Sequence, residues 1–436
     1  MKILIVSYSY TPVISPRAFR WAAIAQHWVR QGDHVDVVSA WNPGLLREEL
    51  INGVCVHRVG GVITEALRSQ LQQSGTRPNI NCGKPTVFDV LSKKQNLTSV
   101  VKWIHDRTWK KVYWPDYACL WYFPALKKAK ELLNLCNYNT IITVSHPFTG
   151  HLVGLNLKKK QQKIKWIVDI GDPFCFLEQM PINNYNLYKY LNYTWEYKIF
   201  NKANKIVVTT ENTFNKYTDV FPNTNIKIHI IPPLLSFEDD QEKSNSLFSL
   251  KENTNIKLIF VGTLHKRMRK PDLLLRLFYE LLHTHLAERV EVHFVGSIND
   301  CQEYFHPYKN LLNKKIYCHG KVSRSQAWQA MKEADVLVNI GNEFPYQLPS
   351  KVVEYASLGK PVLNLATITE DSSAAFFKDY PASLCLLGND AGVNSEQFTQ
   401  LIQFIEKLPT VDSHQLKSWL EPYHIAAIAD AYKALF

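Results

Sequence analysis

Pro349 and Ser350 stand directly before a helical stretch whose first turns carry a single acid, Glu354, and Gly359 and Pro361 close it. The stretch LPSKVVEYASLGKPVL (348–363) follows one apolar strand, VLVNIG (336–341), and runs into another, PVLNL (361–365). Loop and helix start therefore lie at the carboxyl edge of a parallel sheet, where open α/β sheets bind ligands. A helix N-terminus offers unpaired N–H groups and positive partial charge to a phosphate. An ionised carboxylate one turn further in is acceptor-only and can take hydrogen bonds from both hydroxyls of a ribose. Phosphate and diol together suggest a nucleotide. A glutamate in the first turns also favours the helix dipole with no ligand at all, so that reading stays open.

Other residues with chemical potential sit at comparable places. After IKLIFVG (256–262), the run HKRMRK supplies Lys266, Arg267, Arg269 and Lys270 just before the helix PDLLLRLF. They are cations for a diphosphate or a solvated basic loop. His146 follows the strand TIITVS (140–145) directly, as a catalyst or as a structural hydrogen-bonder. WIVDIGDPF (166–174) places Asp169 and Asp172 at the same kind of edge, where a carboxylate can orient a hydroxyl, accept its proton, or cap the next segment. Ser15 and Pro16 start a helix as cap and first residue, followed by Arg17 and Arg20. Cations there oppose the helix dipole, which calls for an anionic partner: an acceptor's phosphate or an internal ion pair. The first strand–helix junction, SYTPVISPRAFR, lacks G-x-G-x-x-G, which argues against a dinucleotide-dependent dehydrogenase.

The elements that must hold these residues follow a βα rhythm. KILIVSY (2–8), a helix with Ala18, Trp21, Ala22, Ala25, Trp28 and Val29 on one face, and HVDVVS (34–39) make a βαβ unit. Strands are expected at 140–145, 164–170, 205–210 and 226–232, then at 256–262, 290–296, 315–320, 336–341 and 361–365. The stretch 60–100 loses apolar periodicity and reads as a long insertion. At 436 residues, 46% hydrophobic and 20% charged, the chain is too long for one ordinary domain of about 100–200 residues and too apolar for disorder. The expected organisation is α/β: a first domain over 1–235, a linker over 236–255, a second domain over 256–415, and a last helix, 416–436, that returns to the first domain.

Here the residues resemble a family. FVGTLHKRMRKPDLLLRLF (260–278), EVHFVGS, ADVLVNIG and LPSKVVEYASLGKPV resemble the C-terminal half of retaining glycosyltransferases of family 4, and the first forty residues are similar to their acceptor domain, particularly in bacterial surface-polysaccharide sugar transferases. The resemblance implies the GT-B fold, two Rossmann-like doubly wound domains facing a central cleft. It implies a nucleotide-diphosphate sugar as donor and a glycan or lipid-linked glycan as acceptor. Glu354 corresponds to the second glutamate of the family pair, on the ribose. Eight residues earlier stands Tyr346 instead of the first glutamate, so its donor-sugar contact passes to Tyr346, Glu343 or loop amides near Gln347 and Leu348, within a donor loop continuing through Pro349, Ser350 and Lys351. Thr263 follows Gly262 where the family often has arginine; Lys270 takes the family lysine's place, assisted by Arg267 or Arg269. His146 matches a histidine that faces the donor sugar. Ser15, Arg17, Arg20, Asp169 and Asp172 form the acceptor set, with His146, Lys270, Glu354 and Asp172 as the catalytic candidates.

Charge is uneven: residues 1–235 hold 29 Lys+Arg against 15 Asp+Glu, the rest 21 against 24. A basic first half suggests an anionic partner surface. The segment 100–133 interleaves lysines with Trp103, Trp109, Trp114 and Trp121, which suits an anionic membrane interface, single-stranded nucleic acid, or a core with solvated lysines. With a sugar nucleotide implied elsewhere, peripheral membrane contact is favoured and nucleic acid is not expected. Eight cysteines without C-x-x-C spacing read as thiols of a reducing compartment, and no run reaches the roughly 18 apolar residues of a membrane span, so a cytoplasmic protein is expected. No metal and no cofactor are expected. The rivals are a GT-B-fold nucleotide-sugar 2-epimerase and a non-catalytic basic membrane- or glycan-binding module.

Overall fold

The apolar run Lys2–Ser7 forms β1, buried from Ile3 onward, as a strand covered by helices on both faces must be. It is the centre of the first of two units. In the computed structural model, residues 1–61, 112–235, 246–248, 255–349, 351–389 and 392–436 are described. One unit comprises Met1–Thr209, Phe214–Ile231 and Ala429–Phe436; the other comprises Thr210–Thr213 and Pro232–Ile428. The insertion expected from 60, the N-terminal part of the aromatic and basic segment up to 111, most of the linker expected over 236–255, and Ser350 lie outside the described residues.

In the first unit, β2 (His34–Ala40), β3 (Glu48–Ile51), β4 (Val54–Val59), β5 (Thr140–Val144), β6 (Lys165–Asp169), β7 (Lys205–Val208) and β8 (Ile228–Ile230) join β1 in an eight-stranded sheet ordered β3-β4-β2-β1-β5-β6-β7-β8. The pairs are parallel except β3–β4. The chain leaves β1 toward β2 and resumes on its other side at β5, so the topological switch lies between β1 and β5. Helix α1 (Pro16–Arg30) begins on the Ser15 hydroxyl, which accepts from the Ala18 N–H at 3.1 Å, and buries Trp21, Ile24 and Trp28. Helices α2 (Tyr122–Leu135), α3 (Thr149–Lys160), α4 (Tyr185–Lys202) and α5 (Glu211–Val220) follow. Gly154 lets α3 approach the sheet: a Cβ there would stand 2.5 Å from both Thr143 and Trp166.

The hairpin β3–β4 was absent from the strands expected by periodicity. Its signal is the dipeptide Asn52-Gly53, whose φ values are 48° and 84°. Both central residues of the tight turn that matches strand twist need φ > 0, hence Asn-Gly.

In the second unit, β9 (Ile256–Val261), β10 (Val290–Val295), β11 (Ile316–Gly320), β12 (Val336–Ile340), β13 (Val362–Ala366) and β14 (Ser383–Leu387) form a six-stranded parallel sheet ordered β11-β10-β9-β12-β13-β14. Its switch point lies between β9 and β12. Helices α6 (Asp272–Leu281), α7 (Arg324–Glu333), α8 (Lys351–Ser357), α9 (Ser372–Phe377), α10 (Ser395–Lys407) and α11 (Ser413–Leu420) belong to this unit, and α12 (Ile425–Lys433) passes from it into the first at Ala429. At the carboxyl edge, Gly296 has φ +127°, and a Cβ on it would stand 1.9 Å from the Gly262 carbonyl oxygen. No other residue fits that approach. Among the described residues, no helix is long and apolar enough to cross a membrane.

Candidate functional site

In the second unit the loops after β9 and β12 are stitched together. The loop 265–269 closes on itself, with the His265 N–H donating to the Arg269 carbonyl at 3.0 Å and the Arg269 N–H to the His265 carbonyl at 2.8 Å. Its cations then diverge. Lys266 turns to Glu303 at 2.7 Å, and Arg267 is exposed. Lys270 pairs with Glu343 at 2.6 Å, a hydrogen bond that raises the lysine above its ordinary value. Arg269 alone turns inward: its Nη2 donates to the Asn342 Oδ1 at 2.9 Å, and its Nε is buried with no partner. A Cβ on Gly262 would lie 3.5 Å from the Arg269 Nη1, so the guanidinium stands over the end of β9. Burial presses its pKa down, against the opposing charge of the Asp371 carboxylate. A cation held in this way, with a donor unspent, has the chemistry to take an anion.

Asn342 connects this cation to the loop before α8. It is buried, and its Nδ2 donates to the Gln347 carbonyl at 2.9 Å while its Oδ1 takes Arg269. The Glu343 N–H donates to the Met268 carbonyl at 2.9 Å. The Tyr346 carbonyl accepts from the Thr213 hydroxyl at 2.9 Å, Leu348 packs on the core beneath α8, and Pro349 is buried. Thr263, beside Gly262, is exposed. On α8, Glu354 is paired with Lys351 and its side chain is 12% exposed. Helix α8 is registered on β9 by the next residue: the buried Tyr355 hydroxyl accepts from the Val261 N–H at 2.8 Å and donates to the Val261 carbonyl at 3.2 Å. The structure thus joins Gly262, Arg269, Lys270, Glu343 and Gln347, and anchors the helix bearing Glu354 to the same strand end. It turns Lys266 away.

In the first unit, the ends of β5 and β6 bring His146 and Asp172 together at 3.1 Å, each about one-fifth exposed. Burial alone would lower the histidine's pKa; the Asp172 hydrogen bond and charge override it, and the net shift is upward. The ring's other nitrogen, Nδ1, is buried with no partner. Ser145 and Gly171 link the two strand ends through the Ser145 hydroxyl, which accepts from the Gly171 N–H at 3.2 Å. Of the two partners left open for the cations that start α1, Arg17 has the internal one: its Nη1 lies 3.0 Å from Asp169. Asp169 is buried and also accepts from the Trp21 indole at 2.8 Å and the Tyr432 hydroxyl at 2.7 Å. It anchors α1 and α12 to β6. Arg20 is buried at the edge of this group, its Nη2 donating to the Ile231 carbonyl and the Tyr432 hydroxyl, each at 3.3 Å. Ser15 serves as the cap described above.

Three positioning residues escaped sequence reasoning. Asp116, fully buried, accepts from the Thr149 N–H and hydroxyl at 2.9 and 2.8 Å and so fixes the start of α3 directly after His146-Pro147. Glu196 on α4 accepts from the Phe174 and Cys175 N–H groups at 3.3 and 2.8 Å, fixing the loop that carries Asp172. Asn342 is the third. No spacing in the sequence marks the first two, because their partners lie 33, 22 and 21 residues away. Asn342 alone carried a hint, standing in the loop after β12. Among the described residues, no group of three or more His, Cys, Asp or Glu could hold a metal ion.

Comparison with solved structures recovers this architecture across the whole chain. An α,α-trehalose-phosphate synthase (UDP-forming) from Burkholderia xenovorans, in complex with glucose-6-phosphate, matches at 11% identity and TM-score 0.63, over 100% of both chains. The catalytic domain of starch synthase IV from Arabidopsis thaliana, bound to ADP and acarbose, matches at 9% identity and TM-score 0.60, over 100% of this chain and 98% of that one. The fold is GT-B. WaaG, a glycosyltransferase involved in lipopolysaccharide biosynthesis, matches at 14% identity and TM-score 0.52, over 99% and 98% of the two chains. The family model described as glycosyl transferases group 1 matches residues 255–375, the segment from β9 to α9 that holds Arg269, Asn342 and Glu354. That match supports glycosyl transfer. No curated protein matches the sequence.

Proposed function

We propose that this protein is a retaining glycosyltransferase of family 4, moving a sugar from a nucleotide-diphosphate sugar to a glycan or lipid-linked glycan during synthesis of a bacterial surface polysaccharide. The observation that carries the reading is Arg269, a half-buried cation whose Nε is buried with no partner, beside Gly262 at the β9–β12 switch, inside the segment matched by the glycosyl transferases group 1 model. Breaking the anomeric C–O bond leaves negative charge on the diphosphate. A fixed cation in a water-poor site stabilises that charge without reorganising during the reaction. Lys270, released from Glu343 by the stronger charge of a diphosphate, adds to it. Glu354 takes the ribose hydroxyls.

In this reading the acceptor hydroxyl forms its bond to the anomeric carbon on the face the diphosphate leaves, and its proton passes to the departing phosphate oxygen. No covalent enzyme intermediate and no metal take part, so activity persists in excess chelator. His146, whose pKa Asp172 raises against the effect of burial, and Asp172 itself serve acceptor and donor-sugar recognition. Work on a lipid-linked acceptor places the protein on the cytoplasmic side of the cell membrane, in peripheral contact with anionic lipid.

The test is a thermal-shift panel of UDP, GDP, ADP and CMP, free and as sugar conjugates, because a ligand that binds only the folded state raises its melting temperature. One nucleoside diphosphate should raise it, and Arg269→Gln and Glu354→Ala should erase the rise. A panel that leaves the wild-type melting point unmoved would sink the assignment.

A further inference from the structure

Helix α4 is built inside out. Its buried residues are Asn192, Glu196, Ile199 and Phe200. The two polar ones are required inward: Glu196 holds the loop after β6 and accepts from the Tyr217 hydroxyl at 2.6 Å, and Asn192 bonds the Trp114 indole at 3.0 Å and Asn183 at 2.9 and 3.1 Å. Ile199 and Phe200 are buried near its end, but the leucines and several tyrosines before them face outward. Tyr190 is 77% exposed and Leu187 60%, with Leu191 and Tyr197 exposed beside them. A surface helix of a soluble domain normally shows the reverse.

The charges that α4 itself exposes have one sign, with the exposed Glu178 before it engaged by the Tyr185 hydroxyl at 2.9 Å. The helix's single acid is the buried Glu196, while Lys189, Lys198 and Lys202 are exposed. Lys189 lies 5.1 Å over the Tyr190 ring and Lys198 4.7 Å over that of Trp195. Neighbouring α3 ends in Lys158, Lys159 and Lys160 and contains no acid. Between α2, α3 and α4 opens a cavity of about 400 Å³ lined by Trp114, Leu120, Phe123, Leu152, Lys159 and Trp195.

We propose that the outer face of α4, with this adjoining cavity, is the surface by which the protein lies on an anionic lipid bilayer. Tyrosine rings and leucines belong at the boundary of headgroups and acyl chains, and lysines beside them meet lipid phosphate. A second copy of the chain is a poor occupant, since a two-fold contact would set lysines against lysines with no acid on the helix to answer them. Single-stranded nucleic acid would leave Leu187 and Leu191 unused, as bases stack on rings. The proposal deepens the membrane part of the reading above and does not depend on sugar transfer.

The test is co-sedimentation of the full chain with vesicles of phosphatidylcholine, alone or mixed with phosphatidylglycerol, alongside light scattering and binding to a single-stranded oligonucleotide. The wild type should partition onto the mixed vesicles and not the neutral ones. Replacing Lys189, Lys198 and Lys202 by Gln should lower partitioning about a hundredfold at low ionic strength. Replacing Leu187, Tyr190 and Leu191 by Ser should lower it roughly tenfold or more. These are exposed positions, so melting temperatures should stay near wild type. Wild-type partitioning unchanged in both variants would overturn the α4 assignment and leave membrane contact standing elsewhere on the protein. No partitioning of the wild type would overturn both. Dimerisation abolished by the serine variant, or an oligonucleotide preferred over vesicles, would hand the face to another occupant.

Discussion

Asn342 offers the sharpest test, because two substitutions there should move stability and nucleotide binding separately. Its Oδ1 accepts from the charged Arg269 Nη2 at 2.9 Å and its Nδ2 donates to the Gln347 carbonyl, and the side chain is only 2% exposed. Asn342→Ala strips a charged donor and a carbonyl of their partner inside the protein. A hydrogen bond to a charged group is worth about 1.5–3 kcal/mol, and an orphaned buried group costs about as much, so the alanine variant should lose about 2–3 kcal/mol of stability. Asn342→Asp keeps an acceptor for Arg269 and puts an anion beside it. Opposite unit charges about 4 Å apart interact by about 4 kcal/mol at an effective dielectric near 20. If half of that competes with an incoming diphosphate, affinity falls about thirtyfold. The assays are urea denaturation for stability and calorimetric titration with whichever nucleoside diphosphate shifts the wild type. An Asn342→Asp protein that binds the nucleotide as tightly as wild type would refute Arg269 as the diphosphate cation.

In Asp172→Asn, the pair that raises His146 is lost and burial dominates, so the histidine should titrate below its ordinary 6.5 instead of above it. The stability signature should invert. In wild type the His146 contribution is full below 6.5 and disappears as pH rises through the raised value, whereas in the variant stability should decline as pH falls through 6.5. Side-chain NMR titration and denaturation on both sides of that pH read it, and a His146 that keeps its raised value in the variant would remove Asp172 as its cause. Gly296→Ala drives a Cβ to 1.9 Å from the Gly262 carbonyl and should cost about 3 kcal/mol or more, with nucleotide binding lost. Gly44→Ala, with φ +87° but nothing within 4 Å, should cost only about 1–2 kcal/mol. Equal melting points for the two variants would count against the close approach of the β9 and β10 ends.

The strands β1, β2, β5–β13 and the capped helix α1 were legible in the sequence, because continuous apolar runs, a Ser-Pro start and closing glycines encode local structure within a few residues. The edge hairpin β3–β4 was legible in principle through Asn52-Gly53. Strand β14, half exposed as SLCLL (383–387), carries too short and mixed a run to separate from a loop. Sequence likewise located the basic run 266–270 and the loop before Glu354 at strand ends. It could not rank the cations. Lys266, Arg269 and Lys270 differ little in local context, yet their partners Glu303, Asn342 and Glu343 lie 37 or more residues away in the chain, and the structure alone decides which cation is paired at the surface and which is desolvated over Gly262. The same holds for Asp169 and Asp172, three residues apart, one consumed by Arg17, Trp21 and Tyr432 and the other left to His146. Residue type and spacing determine where a charge can stand; whether it is spent on the fold or kept for a ligand depends on which distant groups the packing delivers beside it.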